Sequence, residues 1–200
     1  MFLSVFDMFK IGVGPSSSHT MGPMVAAAQF LDRLRASPFE VSGLSGSLHG
    51  SLAFTGVGHA TDRAVILGLA GFEPETYDRN EAEAALAAIG ATGRVSPAGL
   101  GELAFDPKKD LAFDYGPALE GHPNGLILNA LDAQGDTILQ ETYYSVGGGF
   151  VLTAKELAEG KDTEDGPPVP YPFKTAAEML EMCRETGASI ADLKRQNELS

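Results

Sequence analysis

Ser16-Ser17-Ser18-His19-Thr20 is the densest run of reactive polar side chains in the sequence, and an apolar-periodic stretch follows it at once. Four hydroxyls and an imidazole ahead of a helix N-terminus meet unpaired N–H groups and the positive end of the helix dipole. Such a setting takes up a carboxylate or phosphate without Lys or Arg. The plainer reading is a serine-rich turn whose hydroxyls only cap the helix, and for a serine run considered alone it is the stronger one. The four histidines, His19, His49, His59 and His122, all have Gly or Ser close by. His59 and Asp62 are three apart, so on a helical turn the carboxylate can orient the imidazole as a base or substrate donor. Loop histidines are more often merely solvated. His49 falls within a strand and reads as structural.

Other chemistry is weaker. There is no H-x-x-H, no H-E-x-x-H and no cysteine pair, so a zinc site has little support and no metal ligand is assigned. Gly147-Gly148-Gly149 lacks the G-x-x-x-x-G-K-[ST] frame and reads as a bend that closes the last strand. Tyr143 and Tyr144 are adjacent on a strand and face opposite sides, one toward core and the other toward a pocket. Cys183, at helical spacing from Met179 and Met182, reads as a buried apolar residue.

The elements that must position these groups read as follows. Ser4-Val5-Phe6-Asp7 has the form of a capping box and starts a short helix ending at Gly12 or Gly14. Met24, Ala27, Ala28, Leu31 and Leu34 trace one helical face up to Ser37-Pro38, with Thr20 as the cap. A strand covers about 41–49. Thr61 or Asp62 caps a helix to Ala70, and Asn80 caps Glu81–Ile89. Short strand-like runs then cover 102–105, 111–113, 126–131 and 137–146, with a hairpin connection at Asp132–Asp136. The class is α+β, with a mixed or antiparallel sheet beside helices. A charged, proline-rich linker at 159–173 leads to two box-like helix starts, Thr175-Ala176-Ala177-Glu178 and Ser189-Ile190-Ala191-Asp192, within 174–200. Those helices have little left to pack on, which suggests a molecule continuing elsewhere.

Among 200 residues, 14 basic and 27 acidic side chains give a net charge of −13. That sign repels phosphate backbones and anionic lipid, so neither nucleic acid nor a membrane surface is an expected partner. At 44% hydrophobic, the chain is apolar enough to fold. No secretory leader, membrane span or disulfide framework is expected, and the chain reads as cytoplasmic.

Several segments together carry a resemblance. Residues 4–24, Gly50 through Asp62, Pro74-Glu75-Thr76, His122-Pro123-Asn124-Gly125 and Tyr143 through Phe150 resemble, in that order, the β domain of bacterial iron–sulfur L-serine dehydratase (L-serine ammonia-lyase). Ala60 departs from the glycine expected there, and His49 from an aromatic or aliphatic residue. The resemblance implies a β domain over 1–158, similar to the allosteric substrate-binding domain of phosphoglycerate dehydrogenases. It also implies a partner, a C-terminal α domain or separate α subunit, which holds a [4Fe-4S] cluster that the single Cys183 does not support. The implied reaction is degradation of L-serine through aminoacrylate to pyruvate and ammonia, with this chain alone inactive and a homodimer as the assembly. Site residues carried over are His59 as catalytic, and Ser16, Ser17, Ser18, His19, Thr20, His122, Asn124 and Tyr143 for substrate. The rival is a free-standing amino-acid- or anion-binding regulatory domain, which has no need of the linker and two further helices.

Overall fold

The computed structural model describes residues 4–5, 12–160 and 168–200. The expected opening helix lies largely outside them. The chain divides into two compact units, 11–159 and a second one formed by 1–10 with 160–200.

In the larger unit, helix α1 (Gly22–Arg35) is preceded by a π-helical turn, Ser17–Met21. Strand β1 (Gly43–Gly50) runs straight into a short helix, α2 (Ser51–Phe54), and a 3-10 turn, Val57–His59. Helices α3 (Thr61–Leu69) and α4 (Arg79–Thr92) follow. Then come β2 (Arg94–Val95), β3 (Leu103–Ala104), the short α5 (Pro107–Asp110) and β4 (Leu111–Asp114). The long antiparallel pair β5 (Asn124–Leu131) and β6 (Thr137–Gly147) leads to β7 (Phe150–Thr153) and α6 (Ala154–Ala158).

The sheet order is β2-β3-β1-β5-β6-β7, with β4 also pairing β1. β1 is parallel to β3 and β4 and antiparallel to β5. The sheet is mixed because the chain between β1 and β3 passes through helices, long enough to return in parallel, whereas β5 and β6 are joined by a tight hairpin. There Asp132 accepts from the Gln134 and Asp136 backbone N–H groups, both at 2.9 Å.

Leu44 and Leu48 of β1 and Leu126, Leu128 and Ala130 of β5 lie on one face, in one core with Phe30, Leu31 and Leu34 of α1 and Val65 and Leu69 of α3. The opposite face is polar. Asn129 Nδ2 donates to Ser45 Oγ at 3.2 Å, and Ser47 Oγ lies 2.8 Å from His49 Nε2. His49 is buried, 3.5 Å from Asp114, which fits its structural reading.

Several local expectations change. Asp78, not Asn80, caps α4, because its carboxylate reaches the N–H groups of both Asn80 and Glu81. Neither Thr61 nor Asp62 caps α3. Its cap position is Ala60, at φ 52°, and the Thr61 hydroxyl is used elsewhere. Gly147–Gly149 does not end the sheet: all three glycines have positive φ and turn the chain into β7.

In the second unit both expected capping boxes form, Thr175 with Glu178 ahead of α7 (Ala176–Thr186) and Ser189 with Asp192 ahead of α8 (Ile190–Leu199). Asn197 pairs reciprocally with the Tyr171 backbone, both bonds 2.8 Å long. Glu198 accepts from Ser4 Oγ and from the Val5 N–H. Cys183 is half-buried, not buried as its helical spacing suggested. Among the described residues no helix is long and apolar enough to cross a membrane.

Candidate active site

The Ser16–Thr20 segment is not a loop but a wide helical turn. Ser16, not Thr20, is its cap: Ser16 Oγ accepts from the His19 N–H at 3.2 Å, and the Ser16 carbonyl accepts from Thr20 and Met21. The Gly22 N–H reaches back to the Ser17 carbonyl. This extra residue per turn is the π geometry, which recurs at functional sites. It also releases the Thr20 hydroxyl from capping. Behind the turn stands Ser145, whose Oγ is buried and has no hydrogen-bond partner among the described residues. A Cβ at Gly22 would lie 1.9 Å from that oxygen, so only glycine lets the turn approach β6.

The second wall is the end of β1. Gly50 has φ 54°, and a Cβ there would lie 2.4 Å from the Pro123 carbonyl. That carbonyl accepts from the Ser51 N–H at 2.8 Å, which ties the His122–Asn124 segment to the point where β1 becomes α2. Ser51 Oγ then lies 2.9 Å from His19 Nε2, and Ser18 Oγ 2.9 Å from His19 Nδ1. Both ring nitrogens therefore face hydroxyls, which donate or accept as the tautomer requires. Burial, and secondarily the neighbouring His59 ring, hold His19 below the usual histidine value of 6.5.

His59 stands beside it, with ring centroids 4.8 Å apart. Its Nδ1 faces the Thr55 carbonyl at 2.9 Å. A carbonyl only accepts, so the proton of the neutral ring sits on Nδ1 and Nε2 keeps its lone pair. The Asp62 carboxylate was expected to orient this ring; the backbone of the preceding turn does so instead. Two hydroxyls lock the histidine-bearing turns together: Thr20 Oγ1 donates to the His59 carbonyl at 2.8 Å, and Thr61 Oγ1 to the His19 carbonyl at 2.6 Å.

Asn124 Nδ2 donates to the Ser145 carbonyl at 3.1 Å, and the Asn124 N–H donates to His122 Nδ1 at 3.1 Å. Tyr143 does not line this site. Its ring is 2% exposed and belongs to the core, where burial and then Glu141 raise the phenol above its ordinary range. Tyr144 is the tyrosine beside His122, ring centroids 6.4 Å apart, and its hydroxyl donates to the Glu120 carbonyl at 2.5 Å. The structure thus gathers Ser16, Ser18, His19, Thr20 and His59, and joins His122 and Asn124 to them through Pro123 and Ser51. Ser51 was not singled out as a site residue from sequence, and Thr61 only as a helix cap. The signal for Ser51 is its place right after a strand-ending glycine.

Two imidazoles and a ring of hydroxyls on one mixed α+β sheet define a polar site suited to a small zwitterion or anion and to proton transfer. Among the described residues no group of three His, Cys, Asp or Glu side chains is placed to hold a metal ion. The family described as serine dehydratase beta chain matches residues 4–156. The L-serine dehydratase of Streptomyces coelicolor is 45% identical over 200 residues, covering 99% of this chain and 44% of that protein. That of Helicobacter pylori strain J99 is 44% identical over 98% of this chain and 43% of its own length. L-serine dehydratase 1 of Escherichia coli is 41% identical over 99% and 43%. The chain belongs to the serine dehydratase β-chain family, and it spans less than half the length of these relatives.

Proposed function

We propose that this chain is the β part of an L-serine ammonia-lyase, which removes water from L-serine to give aminoacrylate and then pyruvate and ammonia. The observation that carries the proposal is the His19–His59 pair, one ring held between two hydroxyls and the other with Nε2 left as acceptor. In this reading the Ser16, Ser17 and Ser18 hydroxyls at the start of the turn bind the serine carboxylate, whereas Thr20, expected there from sequence, is buried with its hydroxyl donating to the His59 carbonyl and holds the turn in place. His59 Nε2 accepts the α-proton. His122 and Asn124 close over the site and shelter the reactive enamine from water.

The family's [4Fe-4S] cluster does not fit this chain, which has a single cysteine where a cluster takes several thiolates. We assign the cluster to an α part, as a domain or separate subunit, and the isolated chain is then inactive. The test is His59→Ala in a complete dehydratase containing this chain. Turnover falls by at least ~10²-fold, while folding stability changes by less than ~1 kcal/mol because the half-exposed ring adds little packing. His49→Ala, at a buried hydrogen-bonded position, costs stability more than rate. Iron content of each variant separates lost chemistry from failed assembly. A fully active His59→Ala enzyme removes this residue from the mechanism.

A further inference from the structure

Three large apolar side chains stand more than half exposed: Phe54 at 64% and Val57 at 72%, on the turn leading to His59, and Tyr115 at 59%. They are organised, not scattered. Phe54 meets Tyr115 edge-on at 5.4 Å between centroids, and Phe113 stacks against Tyr115 at 6.4 Å. The turn beneath them is tightly packed, since a Cβ at Gly56 would lie 2.1 Å from the Leu52 carbonyl and 2.9 Å from the Phe113 ring. The same turn supplies the Thr55 carbonyl that orients His59, so Phe54 and Val57 share one stretch of backbone with the site. Phe54, Tyr115 and Phe113 thus form an exposed aromatic cluster, with Val57 exposed on the turn that follows Phe54, and exposed clusters rich in aromatic rings are characteristic of interfaces.

We propose that Phe54, Val57 and Tyr115, backed by Phe113, are the docking surface for the α part of the dehydratase, which seats there beside His59. This rests on reading the chain as a β part. The relatives support that occupant, since nearly all of this chain maps onto only 44% of the Streptomyces coelicolor protein. More than half of that protein therefore lies outside the matched stretch. A second copy is the less suitable occupant, because a net charge of −13 opposes self-association.

The test grafts this chain in place of the matched stretch of the Streptomyces coelicolor enzyme. Hydroxyl-radical labelling is then compared between the graft and the 200-residue chain. Phe54 and Tyr115 label strongly in the chain and about tenfold less in the graft, as for side chains at the dry centre of an interface. Phe39, exposed elsewhere at 46%, labels equally in both. As a second measurement, Val57→Asp with Tyr115→Ser leaves the chain's unfolding midpoint unchanged but lowers the graft's serine turnover at least about tenfold. Equal labelling of the patch in an active graft overturns the inference and leaves the β-part reading standing. Protection that grows with concentration in the chain alone also overturns it, by making a second copy the occupant. A soluble graft with a protected patch that forms no pyruvate from serine counts against the β-part reading and not against the docking surface.

Discussion

Replacing Gly22 by Ala tests the proposed support of the histidine turn. The added methyl would lie 1.9 Å from Ser145 Oγ, 2.8 Å from Ser145 Cβ and 3.4 Å from the Ser17 carbonyl. Non-bonded carbon and oxygen need well over 3 Å, so more than an ångström of overlap must be relieved. The obstacle is a short side chain on β6, a strand paired on both sides, so the helix is what yields. Overpacking of this kind costs about 1–3 kcal/mol. Ser145→Ala alone removes a buried hydroxyl that has no partner among the described residues and is neutral or stabilising, by up to about 1 kcal/mol. Gly22→Ala combined with Ser145→Gly removes both colliding atoms, so the two changes cost less together than the sum of the singles, by at least about 1 kcal/mol. Urea unfolding of the chain, followed by circular dichroism, gives all four corners of the cycle. Additive effects, or a Gly22→Ala protein within about 0.5 kcal/mol of the original, refute the argument. A large loss from Ser145→Ala would show that the hydroxyl is satisfied after all.

Asp78→Ala frees the Asn80 and Glu81 N–H groups at the start of α4 and costs about 1 kcal/mol, readable in the same unfolding assay. His19 makes stability depend on pH. Its folded pKa lies below the unfolded 6.5, so between the two the unfolded chain binds more protons, and stability present above pH 6.5 is lost as pH falls through the folded value. The urea midpoint therefore drops on acidification across that window, and His19→Asn flattens the slope; an unchanged slope places the titration on another group.

Much of the fold is written in local chemistry. Thr175 with Glu178, and Ser189 with Asp192, are read correctly because each box is complete within four residues. The Asp132–Asp136 hairpin is legible for the same reason. Misreadings arise where distant groups compete for a local one. Thr20 and Thr61 look like helix caps, yet each hydroxyl is claimed by a carbonyl about forty residues away in sequence. The parallel pairing of β1 with β4 depends on the route of the helical crossover, which no residue pattern encodes. Strand alternation says that Tyr143 and Tyr144 point opposite ways, but only the packing against the core shows which ring is inward. The histidines stand out by type; their partners Ser51 and Thr55 do not, because a serine and a backbone carbonyl carry no signal until the turns meet.

The reciprocal threonine contacts bind each histidine-bearing turn to the backbone of the other, and both threonines are buried, at 2% and 0% exposure. Neither bond involves an imidazole. The link between the turns therefore does not run through the rings, and a displacement of one turn carries the other with it. Mechanically the two histidines belong to a single part, and their spacing is a property of the scaffold, independent of whatever the rings hold between them.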